Sequence, residues 1–482
     1  LVYRSGQQRH GAHRHSRHVR LSDHRLVASL RGNAIDRQYL QRSRLPLPGT
    51  TAGTSRASGC VGSLRPGSRH RGDGGMTHMP VWIAGVGMTE FGVRPDVSVK
   101  ELTQAAVVGA LTDAGVHPTA IEAAYFGNTC QDVLEGQVVV AGQMALRSMG
   151  FERIPIVNVE NACATGATAL HQAIMHVRSG AADIVLAVGA EKLSIGDKTK
   201  ALGVFDGGVD VNDRQGVRAV LEELGGALPD DGKPHSLFMD VYAALARAHM
   251  NAFGTTREQL ALIASKNHEH AVHNPLAHFR AEMSVEEILA ARPVSGPLTV
   301  PMCAPLTDGA SAVVVCNAAG LKRLDGSRPI RILAAVLQSG TVRPLSAWDR
   351  SVTRLAAQAA YEQAGVGPQD ISVAEVHDAS SFGELLQSEL LGFCEIGSGG
   401  RFVESGASRL GGRMPINPSG GLESKGHPMG ASGLAQIYEL VQQLRGNCGA
   451  RQVAGARIAL AENGGGLYAG EEAAAAITIL GS

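Results

Sequence analysis

The sequence predicts an α/β fold built from two similar halves, and three observations carry that expectation. The segment Asp113-Ala114-Gly115-Val116-His117-Pro118, followed by IEAAYFG, has a counterpart 250 residues later in Gln363-Ala364-Gly365-Val366-Gly367-Pro368, followed by ISVAEVH. The same helix, turn and strand order flanks both, which points to a duplicated unit. Strand candidates such as ADIVLAVGAE (182–191) are almost wholly apolar, as expected of a sheet covered on both faces. At 482 residues the chain also exceeds one ordinary core, so several domains or one duplicated fold are expected.

Residues 1–75 stand apart from that pattern. They hold fourteen Arg, three Asp and no Lys or Glu, a net charge of +11, which leaves −11 on residues 76–482 and makes the overall zero uninformative. No hydrophobic periodicity survives there, so disorder is expected. Three readings fit: in-frame upstream DNA with the start at Met76 or Met79, an Arg- and Ser-rich transit peptide, or a basic arm for nucleic acid or membrane.

Order is expected from Val81. VWIAGVGMTEFG reads as a strand entering a loop. Residues 99–115 read as a helix, with Val99, Leu102, Ala105, Ala106, Ala110 and Leu111 on one face and Gly115 as its stop. A strand at Ala123–Phe126, a helix near 136–149, a strand near 155–159 and a helix at about 164–179 follow. Residues 192–300, with charged loops and a helix near 238–253, read as an inserted, mostly helical cap. VVVCN (313–317) returns to strand. The second half opens on the strand IRILAAVLQS (330–339) and a helix near 353–365, and closes on the strands RIALA and AAAAITIL. The resulting domains are an N-terminal half over 76–327, containing the cap, and a C-terminal half over 328–482.

Composition excludes several classes. Aromatics are only 4%, against a stacking platform for single-stranded nucleic acid. No apolar run reaches the roughly 18 residues that span a bilayer. The seven cysteines (60, 130, 163, 303, 316, 394, 448) form no CxxC pair, which reads as reduced thiols in the cytoplasm. His268, His270, His273 and His278 cluster in the cap, but their spacing matches no metal-ligand pattern, so a solvated face and no metal are expected. Gly85-Val86-Gly87 lacks the third glycine of a dinucleotide fingerprint.

Four segments carry candidate chemistry. Asn161-Ala162-Cys163-Ala164-Thr165-Gly166 places a thiol just before a helix N-terminus, whose dipole stabilises a thiolate; a buried cysteine packing as a small apolar group fits the same residues. Gly426-His427-Pro428 lies in a Gly- and Pro-rich loop, where His427 is a candidate base for Cys163 or a surface histidine. His377 and Asp378 follow a strand, where α/β sites collect. Glu462-Asn463-Gly464-Gly465-Gly466 reads as bare backbone suited to an oxyanion, or as a simple turn.

Together these segments resemble the thiolase superfamily, in particular the sterol-carrier-protein-type thiolases and bacterial lipid-transfer-type relatives. The stretch from GFCEIGSGGRFVESG through GGRMPINPSGGLESKGHPMGASG is the most specific part. The resemblance implies the thiolase fold: two βαβαβαββ halves in α-β-α-β-α layers with a loop domain inserted in the first half. It implies Cys163 as the acylated nucleophile, His427 as its activator and His377 as a holder of the thioester oxygen. Asn463, Gly464 and Gly465 would supply oxyanion contacts. It further implies coenzyme A as a substrate rather than a bound cofactor, a homodimer, and in some relatives a small zinc-ribbon/OB-fold partner. No sterol-carrier domain is expected after the last strand.

Two positions depart from the family pattern. Where the CxGGG loop and the HDCF loop carry a second cysteine, this chain has Glu462 and Ala379. Glu462 serves as the missing acid/base if burial raises its pKa toward neutrality. The expected activity is CoA-dependent thiolysis of a 3-ketoacyl-CoA or the reverse Claisen condensation. A decarboxylating ketoacyl synthase with a Cys-His-His set, a retro-aldol lyase and a non-catalytic acyl-CoA-binding subunit remain as alternatives.

Overall fold

The computed structural model describes residues 79–225 and 236–482, and the expected disorder of residues 1–75 lies outside them. Its strands are β1 (Trp82–Met88), β2 (Ala123–Gly127), β3 (Ile156–Val159), β4 (Ile184–Glu191), β5 (Pro293–Ser295), β6 (Leu298–Thr299), β7 (Gly309–Cys316), β8 (Ile330–Ser339), β9 (Val373–Glu375), β10 (Ile458–Gly465) and β11 (Ala474–Gly481). β5 and β6 form a separate pair. The other nine make one sheet in the order β3-β2-β4-β7-β1-β8-β11-β10-β9.

The duplication is visible in that order. Outward from the centre, one half runs β1-β7-β4-β2-β3 and the other β8-β11-β10-β9, with an Ala374–Ile416 bridge at the place of a fifth strand. In both halves the inner pairings are antiparallel and the outer ones parallel. Within the sheet, the seam between the halves is short: β1 and β8 pair only at Trp82–Arg331 and Ile83–Ile330. The repeated sequence sits at equivalent corners. Gly115 and Gly365 close their helices in the left-handed conformation (φ 64° and 70°), where a side chain would be strained. Each is followed by a short turn, Pro118–Ala120 or Pro368–Asp370, and then by β2 or β9.

The helices Thr165–Arg178 and Met429–Arg445 lie against each other and touch strands of both halves. Their apolar residues, including Leu170, Ile174, Leu434 and Ile437, share one cluster with Val185, Val313, Val373 and Leu480. They form the middle of five layers. The helix Val99–Ala114 covers β1 and β7 from outside, and Val352–Ala364 covers β8 and β11. The α-β-α-β-α arrangement is therefore present, with its two β layers linked edge to edge. Small residues allow the central crossing: a Cβ on Gly433 would stand 2.6 Å from the Ala167 nitrogen, and one on Gly166 2.8 Å from the Gly430 oxygen.

Three local expectations need correcting. The helix expected near 136–149 is broken into Gln131–Glu135, Ala141–Leu146 and a tighter turn Arg147–Met149. Gly136 ends the first piece at φ 81°, and Val140, last of three successive β-branched valines, sits at φ 52°. The glycine motif does not follow the RIALA strand but continues it, since Gly464 and Gly465 still pair with Ala475 and Ala474. The four cap histidines do not share one solvated face: His273 is exposed and His278 half-buried, but the other two are inside. His268 is 5% exposed and His270 1%. The helix carrying them, Arg257–Val272, is wedged against Ser381–Leu390, Gly399–Glu404 and the turn Gly421–Lys425. There His270 Nδ1 donates to the Asn417 carbonyl at 3.0 Å and its Nε2 accepts from Leu410 N at 3.1 Å. Burial pushes its pKa down to about 3, so it is a neutral tether.

The excursion between β4 and β7 thus packs on the other half of the molecule. Val241, Leu245, Leu260 and Ile263 share a core with Phe382, Leu385 and Ile416. No helix among the described residues is long and apolar enough to cross a membrane.

Candidate active site

Cys163 lies in the turn Ala162–Ala164, which runs directly into the helix Thr165–Arg178. His427 stands one residue before Pro428, the N-cap of Met429–Arg445. Each side chain therefore occupies the N-terminus of one central helix, and the small-residue crossing brings the two ends together. Asn161 anchors the thiol turn through its backbone N–H to Thr165 Oγ1 (2.8 Å) and its amide to Thr168 Oγ1 (3.0 Å). The N-terminal ends of both central helices thus lie beside the thiol.

The hydrogen positions around His427 follow from its partners. Ser432 Oγ donates to the Pro428 carbonyl at 3.0 Å, so it accepts from His427 Nδ1 at 2.8 Å. Nδ1 then carries the ring proton, and Nε2 is left as an acceptor 3.2 Å from Cys163 Sγ. Burial holds the His427 pKa well below the ordinary imidazole value, and the neighbouring charges of His377 and Lys425 act in the same direction. A neutral ring with its lone pair on the thiol is the state a general base requires.

His377, just beyond β9, is in the opposite state. Burial works against a charge on it, but the nearby charge of Cys163 and the hydrogen bond and charge of Glu472 outweigh burial and carry its pKa well above the ordinary value. Nδ1 lies 3.2 Å from Glu472 Oε1, and the ring centroid is 5.4 Å from that of His427. One ligand-type atom each from Cys163, His377 and His427 lies within 4.8 Å of the others. A soft cation fits such a set, yet the protons traced above make it a thiol, a base and a donor. Two histidines with pKa values driven apart divide the acid and base roles between them.

Two carboxylates complete the far side. Glu462, fully buried in β10, accepts from the His377 backbone N–H through Oε2 at 2.8 Å, while its Oε1 has no partner among the described residues. Burial and the charge of Glu472 push its pKa up to about 8. Glu472 was not singled out in the sequence. It accepts from Thr353 Oγ1 at 2.9 Å and Gln387 Nε2 at 3.2 Å, and its carboxylate lies where a Cβ on Gly464 would be. The available signal was an acidic pair, Glu471-Glu472, interrupting a Gly- and Ala-rich tail. Ser432 was likewise missed, although it stands on the first turn of the helix after the GHP motif.

Strand alternation sorts the glycine motif. Glu462 and Gly464 face His377 and Glu472. Asn463 faces the central helices beside Gly433, and neither of its amide atoms has a partner among the described residues. Gly465 packs against the thiol turn, where a Cβ would stand 2.6 Å from the Ala164 nitrogen. β9 pairs with β10 only at Ala459–Ala461, so past that point alternate N–H groups of β10 lack that strand as an acceptor.

Cys163 and His427 open onto a cavity of about 590 Å³, lined mainly by apolar side chains including Leu193, Phe205, Phe238, Met239 and Leu306. Asp240 reaches its wall, and so does a second acid, Glu423. It belongs to a buried cluster in which the Asn267 amide lies 3.0–3.1 Å from Asp378, Glu384 and Glu423, and Lys266 pairs with Glu384 at 2.6 Å. Burial pushes Glu423 up to about 8 and Asp378 well above its usual range, with their acidic neighbours adding to both.

A family model for the thiolase N-terminal domain matches residues 81–319, and one described as thiolase C-terminal domain-like matches 338–482. The chain is 39% identical over 392 residues to an acetyl-CoA acetyltransferase of Methanothermobacter thermautotrophicus, covering 80% of this chain and 96% of that protein. It is 37% identical over 395 residues to sterol carrier protein 2 of Bos taurus, covering 80% and 69% respectively. Among solved structures it matches the "Ltp2-ChsH2(DUF35) aldolase" with a TM-score of 0.68 at 25% identity, over 84% of this chain and 98% of that one.

Proposed function

Because the chain belongs to the thiolase family and is an acyltransferase of that family, we propose that it performs CoA-dependent thiolysis of a 3-ketoacyl-CoA, or the reverse condensation, through an acyl-Cys163 thioester. The observation that carries this reading is the 3.2 Å contact between Cys163 Sγ and an Nε2 that Ser432 leaves as an acceptor. His427 takes the thiol proton. The thiolate attacks the 3-keto carbon, and His377, charged and held by Glu472, donates to the developing oxyanion together with backbone N–H groups of the Asn463–Gly465 run. The carbon–carbon bond breaks, and Glu462 protonates the departing acetyl-CoA carbanion. Coenzyme A then attacks the acyl-Cys163 carbonyl, its proton passing to a base of the site, and releases the shortened acyl-CoA.

A lyase reading draws on the aldolase among the similar structures. Product analysis separates the two. Acetoacetyl-CoA with coenzyme A is expected to give two acetyl-CoA for each coenzyme A consumed, followed by chromatography. Cleavage of a hydroxyacyl-CoA to a ketone or aldehyde without consumption of coenzyme A would contradict acyl transfer, and carbon dioxide release from malonyl-CoA would favour the decarboxylating alternative.

We further infer a homodimer formed along the outer edge of β3. That edge has no strand partner among the described residues, and Val133, Val138, Val139, Val140, Met144 and Val157 are all exposed. Such a concentration of apolar side chains marks an interface. Light scattering is expected to give twice the chain mass for the wild type and a single chain mass for Val157→Asp; a wild-type monomer would refute it. A small zinc-ribbon/OB-fold partner, suggested by the two-protein aldolase structure, would appear on co-purification from the native host. On the same footing the halves divide as 76–327 and 328–482. The six described cysteines are all free, in keeping with a cytoplasmic enzyme, which cell fractionation checks.

A further inference from the structure

Several polar side chains that line the acyl cavity, Asp240, Arg292 and His268 among them, have no task in the chemistry above. His268 lines the cavity among Phe238, Met239, Phe279, Met283, Val300 and Cys303. Its Nδ1 lies 3.3 Å from the Ala281 carbonyl oxygen, an acceptor only, so Nδ1 carries the proton. Nε2 is consequently a bare lone pair. It is buried and has no hydrogen-bond partner among the described residues. The ring is held in place by stacking on Phe279, with centroids 6.2 Å apart and planes 26° from parallel, and by the helix Arg257–Val272 on which it sits.

An acceptor fixed in this way inside an apolar chamber is costly when empty and discriminating when filled. A buried acceptor without a donor carries its full desolvation penalty, and a pocket built to hydrogen-bond a substrate rejects the analogue lacking that group. We propose that His268 is a specificity-determining residue that accepts a hydrogen bond from a hydroxyl on the acyl group, so that the acyl-CoA substrates of this enzyme are hydroxylated, otherwise apolar chains or rings. This inference rests on the acyl-CoA reading of the site. Burial lowers the His268 pKa, which keeps Nε2 an acceptor at neutral pH.

The test is equilibrium binding, which needs no turnover. Octanoyl-CoA and its monohydroxy isomers are titrated calorimetrically into the wild type, His268→Leu and His268→Gln, each first checked for an unchanged melting temperature. At least one hydroxy isomer is expected to bind the wild type about tenfold or more tighter than octanoyl-CoA. His268→Leu is expected to abolish that preference while holding octanoyl-CoA within about twofold, and His268→Gln, which keeps a side-chain acceptor, to restore part of it. Equal binding of every isomer by the wild type, or a preference surviving in His268→Leu, overturns the proposal. So does an equal loss for acetyl-CoA, because the bonded group would then be a pantetheine amide. If the preference stands but no ester acylates Cys163, the acyl-transfer reading fails and the assignment of His268 stands.

Discussion

Replacing Cys163 by Ala is expected to reduce thiolysis by about four orders of magnitude or more, and His427→Ala to come within roughly tenfold of the same loss. The two act as one unit. Without the thiol there is no atom to carry the acyl group. Without the ring, the thiol keeps its proton unless water removes it, and among the described residues no other group offers a lone pair on Sγ at hydrogen-bond distance. The double variant is therefore expected to be scarcely worse than Cys163→Ala alone, a non-additivity characteristic of a nucleophile and its base. Cys163 is small and buried at 5% exposure, so alanine changes packing little and the melting temperature should hold. Steady-state kcat/KM on acetoacetyl-CoA measures all three. A Cys163→Ala enzyme within tenfold of wild type would remove the covalent step.

Glu462→Gln is expected to lower thiolysis and condensation by about a hundredfold to a thousandfold while sparing acylation by a simple acyl-CoA. Transfer of an acyl group from coenzyme A to Cys163 breaks no carbon–carbon bond and needs no proton at the α-carbon. Condensation and its reverse do. Glutamine preserves shape and can still accept from the His377 backbone N–H, but it cannot give up a proton. The pH dependence follows from the raised pKa of about 8. Thiolysis needs the protonated acid and is expected to fall as pH rises through about 8. Condensation needs the carboxylate and is expected to rise over the same window. Glu462→Gln should erase that limb from both profiles. If Glu472→Gln erases it instead, the proton belongs to the second carboxylate.

Much of this was legible in the sequence because it is written locally. Gly115 and Gly365 mark equivalent helix ends, since each end requires a left-handed residue. Cys163 announces itself by lying at a predicted helix start among small residues, and His427 by its place in a Gly- and Pro-rich loop. What escaped is what depends on distant chain. The motif SKNHEHAVHN looks solvent-facing by hydropathy, yet Lys266 donates to the Ile416 carbonyl and His270 to that of Asn417, each about 150 residues away. Polar groups satisfied by remote partners give no periodic signal. Glu472 escaped for a related reason: its carboxylate meets His377 only after β11 folds back on β10, over a Gly464 that leaves room for it. The broken helix before β3 shows the reverse error: its apolar run suggests one continuous helix, although Val138 and Val139 face outward.

The central claim is that an acyl group rests on Cys163. Intact-mass measurement after mixing the protein with acetyl-CoA, followed by peptide mapping, tests it most directly. The account predicts one acetyl group per chain, located on Cys163, absent in Cys163→Ala and discharged when free coenzyme A is added. An enzyme that turns over acetoacetyl-CoA while Cys163 stays unmodified, or one that carries its acyl group on another residue, would contradict it.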